Sequence, residues 1–168
     1  NKKAFAALKT DGSVIAWGNA NGGGDTAFVA NDLKDSVRQI YATNNAFTAL
    51  KSDGSLVTWG SPMHGGKISD EQRTKLVAPI IKVVATKSAF AALLANGSVV
   101  AWGNSDKGGD TAKVASKLKH DVVEIKATRS AFAALKRDGS VVSWGDKEDG
   151  GDSSQVHKQL KKGVLDVI

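Results

Sequence analysis

Ala131-Phe132-Ala133-Ala134-Leu135-Lys136-Arg137-Asp138-Gly139-Ser140-Val141-Val142-Ser143-Trp144-Gly145 is the stretch on which the fold turns. Two short apolar runs flank Asp138-Gly139. Asp-Gly between such runs is a strong hairpin signal, because both residues tolerate the positive φ that a tight turn demands. The same stretch recurs at 4–18, 46–60 and 89–103, with Asp11-Gly12, Asp53-Gly54 and Asn96-Gly97 at the turns. Phe5, Phe47, Phe90 and Phe132 are 42 or 43 residues apart, and Trp17, Trp59, Trp102 and Trp144 keep the same steps. Fixed-period self-similarity of this length marks a repeat architecture with one supersecondary unit per repeat. The chain therefore holds four β-hairpins.

Working outward, the second hairpin strand is apolar on both faces, as in Val14-Ile15-Ala16-Trp17, which predicts burial on two sides. Ala16, Thr58, Ala101 and Ser143 are small at one repeated position, so neighbouring units should approach closely there. Downstream stands Gly-Gly-Asp (23–25, 108–110 and 150–152), replaced by Gly65-Gly66-Lys67 in the second unit. Val156 and Leu160 then lie four apart, with Asp152 as a candidate N-cap and Gly163 as a stop, a pattern that predicts a helix. Val29 with Leu33, and Val114 with Leu118, repeat it, and the second unit carries an altered version over about 69–77, stopped by Pro79. A third strand is expected at 37–43, 80–86, 122–128 and 164–168. The fold class expected is thus an α+β repeat protein of four strand–hairpin–helix units. Their approximate bounds are 1–36, 37–79, 80–121 and 122–163, and 164–168 form a C-terminal strand in phase to complete the first unit. Such completion implies a closed propeller-like toroid, since closure removes exposed sheet edges, with an open solenoid as the alternative.

Composition restricts chemistry more than it directs it. At 41% hydrophobic and 24% charged residues, the 168-residue chain is ordinary for a globular domain. It has no cysteine, hence no disulfide, thiolate metal site or cysteine nucleophile. No apolar run approaches the roughly 20 residues that cross a bilayer, so no membrane insertion is expected. A first residue other than Met is compatible with a segment of a larger repeat protein, and a secreted or cell-surface setting is the one favoured.

The run from Ile125 to Gly145, Ile-x-Ala-Thr-x-x-Ala-Phe-Ala-Ala-Leu-Lys-x-Asp-Gly-Ser-Val-Val-x-Trp-Gly, resembles the core of the regulator of chromosome condensation repeat, a β-propeller blade family. It also resembles degenerate versions found in large bacterial and protist proteins. The match covers about half of each unit. The resemblance implies propeller ancestry and, in the best-known members, nucleotide exchange on a small GTPase and chromatin contact. The units here are shorter, Gly-Gly-Asp stands where the family has Gly-Gln-Leu-Gly, and a helical pattern replaces further strand, so no functional residue is carried across.

Candidate chemistry is sparse. The turn aspartates and the acids at Asp25, Asp110 and Asp152 are accounted for by turns and caps, and Lys67 breaks any symmetric acidic cage. His64, His120 and His157 share neither a repeated partner nor a metal-ligand spacing. No nucleophile–base constellation stands out, and no cofactor motif is present, so an enzyme is not expected. The reading is a non-catalytic interaction or structural module that binds protein or glycan through loops on one face. A lectin-like alternative places Trp17, Trp59, Trp102 and Trp144, with the loop residues Asn19 and Asn104, as stacking platforms and ligand contacts. Burial between units is the competing account of the indoles. A further alternative uses Lys34, Lys117, Lys119, Lys158, Lys161 and Lys162 for weak, nonspecific contact with nucleic acid or another polyanion, since the chain carries a net charge of +6.

Overall fold

The computed structural model describes all 168 residues. The four hairpins form where the turns require them: β1 (Ala4–Leu8) with β2 (Val14–Gly18), β4 (Ala46–Lys51) with β5 (Leu56–Gly60), β7 (Ala89–Leu94) with β8 (Val99–Gly103), and β10 (Ala131–Lys136) with β11 (Val141–Gly145). Each turn is fixed by its own side chains. The Asp11 carboxylate accepts from the Ser13 amide at 3.0 Å and from the Ser13 hydroxyl at 2.6 Å, while Gly12 takes φ 79°. Asp53 with Ser55, Asn96 with Ser98, and Asp138 with Ser140 repeat the arrangement. These bonds hold the Asp11 carboxyl down at about 2, from an ordinary 3.8, and depress Asp53 and Asp138 likewise.

The expected third strand is present in three units. β3 (Val37–Ala42), β6 (Ile80–Ala85) and β9 (Val122–Ala127) pair antiparallel to β4, β7 and β10, giving three three-stranded sheets and one two-stranded sheet, β1–β2. A bulge near the start of each third strand, at Val37/Gln39 in the first, shifts its register.

The core lies between successive sheets. One layer joins Ala4 to Phe47, Val57 and Trp59; the next joins Leu50 to Phe90 and Trp102; the last joins Leu93 and Ala101 to Phe132 and Trp144. Sheet faces stack on sheet faces, so β5 and β8 bury both sides as their two apolar faces predict. Inner loops add a backbone ladder across the units, since the Lys2 amide donates to Asn44 O, Asn44 to Lys87 O, and Lys87 to Arg129 O, at 2.9–3.0 Å.

Two expectations are corrected. Helix is nearly absent: the helical patterns fold as short 3₁₀ turns, such as Ala27–Val29 and Ala112–Leu118, and the one α-helix is α1, Asp70–Thr74. Asp25, Asp110 and Asp152 accept from the amide two residues on, an Asx turn and not a full helix cap. With few apolar anchors per segment, chiefly Leu33 or Leu118, the cost of nucleating an α-helix is not recovered. The second unit succeeds because Ser69 and Gln72 form a reciprocal capping box. The second correction concerns closure. Residues 164–168 pair with no strand, Leu165 and Ile168 are 94% and 111% exposed, and β1–β2 remains two-stranded. The four units thus form an open arc.

Candidate functional site

Every hairpin places its Phe directly opposite its Trp, with ring centroids 5.2–5.5 Å apart. The indole also reaches into the preceding unit. Trp59 Nε1 donates to Gly23 O at 2.9 Å, Trp102 to Gly65 O at 3.1 Å, and Trp144 to Gly108 O at 3.0 Å. Those glycines turn at φ 93–98°, and a Cβ on any of them would sit 2.5–2.7 Å from a ring carbon of the following unit's Phe. The first glycine of the Gly-Gly pair therefore belongs to the seam between units.

This arrangement overturns the stacking-platform reading for Trp59, Trp102 and Trp144, whose rings are buried with their one donor engaged. Trp17 stands apart. It is 52% exposed and lies beside Phe5, itself 63% exposed. Asn19 and Asn104 cap the loop turns, accepting from the Gly22 amide at 3.0 Å and the Asp106 amide at 3.1 Å. Their side-chain oxygens are committed to the loop.

A further clip was not recognised in the sequence. Thr86 Oγ1 accepts from the Ala89 amide at 3.0 Å and donates to Lys107 O at 3.1 Å, tying the loop after β8 to the start of β7. Thr43 and Thr128 reach His64 O and Asp149 O in the same way. Asn1 takes over the task in the first unit through Gly22 O at 2.6 Å. The signal was available, because all four residues stand four positions before the repeated Phe.

The loops following the hairpins leave an open cleft at each seam. That between the first and second units has a volume of about 570 Å³, bounded by Asn21, Asp25, Phe28, Thr58, Ser61 and Pro62. The second–third cleft is about 340 Å³ and includes Gln72, Lys75 and Asp110. The third–fourth is about 810 Å³ and includes Asp106, Lys113, Asp146 and Glu148. Phe28, on the rim of the first, is 101% exposed. It was missed because nothing in its Ala-Phe-Val context distinguishes a rim position from a core one. The position equivalent to Phe28 carries Lys113 in the third unit and Gln155 in the fourth, so one frame presents different side chains.

The six lysines Lys34, Lys117, Lys119, Lys158, Lys161 and Lys162 are all exposed and enter no ion pair. Lys117 and Lys161 are brought together with Lys136 and His157 around a cleft of about 320 Å³, and Asp138 lines it too. The others are not gathered there. His64 accepts or donates at 3.0 Å to Ser61 Oγ, and burial, with nearby Lys3, holds its pKa below the usual value. His120 contacts Asp121 at 2.5 Å on the surface. Nowhere do three His, Asp or Glu side chains converge as a metal cage would need.

With this geometry in view, the solved structures that resemble the chain are informative. The yeast RCC1 protein Prp20, in its complex with Kap60, superposes with a TM-score of 0.60 at 21% identity over 99% of this chain and 48% of its own. Prp20p from Saccharomyces cerevisiae, described with its binding to Gsp1p and histones, gives 0.59 at 22% identity over 86% of this chain and 42% of its own. Human WBSCR16 gives 0.54 at 20% identity, over 95% and 49%. The fold is an RCC1-like β-propeller repeat. The chain spans less than half the length of each of these structures. No family model and no curated protein matches the sequence.

Proposed function

We propose that the chain is a non-catalytic interaction module that binds a protein partner on the face where the inter-unit clefts open. The observation that carries this reading is Phe28, a fully exposed aromatic at the rim of the first cleft. Aromatic anchors dominate binding energy where they are buried at an interface, and an exposed ring on the rim of a cleft is placed to serve as one. The substitution of Phe28 by Lys113 and Gln155 on an otherwise repeated frame supports recognition of an irregular partner such as a protein. Propeller-type relatives of low identity that contact proteins, as the Prp20 structures do, are consistent with it.

The test is a photo-reactive phenylalanine analogue at position 28, irradiated in native extract. A discrete protein adduct, competed by unmodified chain and lost from a Phe28→Ala competitor, is the expected result. Binding to immobilised glycans that disappears with Phe28→Ala would replace protein by glycan as the ligand. A second reading, weak polyanion contact, is supported by the unpaired lysines around the 320 Å³ cleft. Retention on heparin that depends on Lys117 and Lys161 and falls steeply with salt is its expected signature.

A further inference from the structure

Each seam cleft is lined by the outer strand of the hairpin beside it: residues 58–60 of β5, 99–101 of β8 and 143–145 of β11. In the β4–β5 ladder the Lys51 amide donates to Ser55 O at 3.0 Å and the Ser61 amide to Asn45 O at 2.9 Å. The alternation of an antiparallel pair then turns the main chain of Leu56, Thr58 and Gly60 away from β4. β5 is the last strand of its sheet, and none of these three residues makes a main-chain bond on that side.

Elsewhere the chain covers the same edge with groups of its own. In β2 the Val14 amide donates to Leu33 O at 2.8 Å. In β8 the Ala101 carbonyl, which stands where the Thr58 carbonyl stands in β5, accepts from Gln72 Nε2 at 3.0 Å. Gln72 belongs to α1 of the preceding unit and enters the second–third cleft to make that bond. In β11 the Ser143 hydroxyl binds Gly151 O at 3.4 Å and Ser153 Oγ at 2.8 Å, which draws its own loop across the strand. β5 has no such cover. Thr58 is only 7% exposed, and a buried main-chain amide or carbonyl without a partner costs free energy.

We propose that the first–second cleft takes an extended segment of a partner protein as an added strand on β5, with main-chain bonds to Thr58, an aliphatic or aromatic side chain on Phe28, and a lysine or arginine beside Asp25. An open strand edge is complemented by another extended main chain, which supplies donor and acceptor together. Phe28 and Val29 give the cleft an apolar wall. Asp25 is the one charged side chain around it and enters no ion pair, so the complementary charge on the partner is positive. Gln72 in the neighbouring cleft is the internal counterpart, a donor from outside the sheet seated on the equivalent carbonyl. The inference rests on the cleft-face reading given above and adds the form in which the partner arrives.

The test is selection of a display library of random linear peptides, about twelve residues long, on the 168-residue chain. Selected peptides should share an apolar residue and a lysine or arginine, lose about tenfold or more in affinity on Phe28→Ala, and slow hydrogen exchange at the Thr58 amide. Methylating the peptide amides one at a time should cost about tenfold at alternate positions only, because alternate amides face β5. Thr58→Pro removes the outward amide at an edge position, where proline leaves the ladder to β4 in place, and should weaken binding likewise. Where that variant fails to fold, the methylation series decides alone. Peptides that require Phe28 but tolerate methylation at every amide, with Thr58 exchange unchanged, overturn strand addition and leave the Phe28 interaction face standing. A library without a Phe28-dependent binder also overturns it, and a photo-adduct at position 28 then assigns the face to a folded surface. Absence of both binder and adduct removes the interaction reading itself.

Discussion

Trp102 and Trp17 have nearly the same sequence neighbours and opposite surroundings. Trp102 is fully buried against the second unit with its indole donor engaged, whereas Trp17 looks into solvent. Removing a buried aromatic costs transfer energy and leaves a cavity, so Trp102→Ala should lose about 3–5 kcal/mol in urea unfolding. Trp17→Ala in dilute protein should stay within about 1 kcal/mol of the parent. The difference between the two measures the seam, because the hairpin itself is common to both. Thr86→Val keeps the shape of the threonine clip and removes its hydroxyl. The Ala89 amide and Lys107 carbonyl then lose their partner, and a loss of about 1–3 kcal/mol is expected in the same assay.

At the scale of elements, the three Asp-Gly turns are expected to be acid-sensitive. The Asp11 carboxyl titrates at about 2 instead of 3.8, with the Ser13 hydroxyl and amide bonds as the main cause, and Asp53 and Asp138 move in the same direction. A carboxyl whose folded pKa is depressed adds stability that is fully present above its unfolded value and is lost as pH falls through the folded value. Denaturation midpoints should therefore decline between pH 4 and pH 2 in the parent, and decline less when Asp11, Asp53 and Asp138 are all replaced by Asn, which tolerates the same turn. The hairpins were legible from sequence because Asp-Gly and Asn-Gly fix a turn through bonds to residues two positions away. The helices were misread for the converse reason. A Val–Leu pair four apart describes a face, but whether a short segment coils as α or 3₁₀ depends on how many anchors the neighbouring sheet accepts, which no local pattern records. In the second unit the local signal was sufficient, since Ser69-Asp70-Glu71-Gln72 spells a capping box. Ser69→Ala should remove α1 helicity and about 1 kcal/mol.

Across the whole molecule, the units contact chiefly their neighbours, so stability is a sum of units and seams and need not be uniform. β1 and β2 are packed on one side only, and β7 and β8 on both. Hydrogen exchange in dilute solution should accordingly show β1–β2 amides opening well before those of β7–β8, with little difference between the equivalent turn residues Asp11 and Asn96. The repeat phase was visible in the sequence and located the four hairpins, while the pairing it suggested for 164–168 with the first hairpin is not formed. What it could not supply was the curvature of the arc, because the angle between sheets comes from side-chain volumes in the seams, and period alone is silent on it.

The ladder from Lys2 through Asn44 and Lys87 to Arg129 has a consequence for heredity as well as for mechanics. Every rung draws its donor from one unit and its acceptor from the next, and every Trp-to-Gly bond crosses the same seam in the opposite direction. A stretch of DNA encoding one full period can thus be duplicated or excised in frame, and the remaining halves meet in a seam that already fits. Array length becomes something that replication slippage can revise in single steps, while each surviving unit keeps its fold and its own variable residue at the rim.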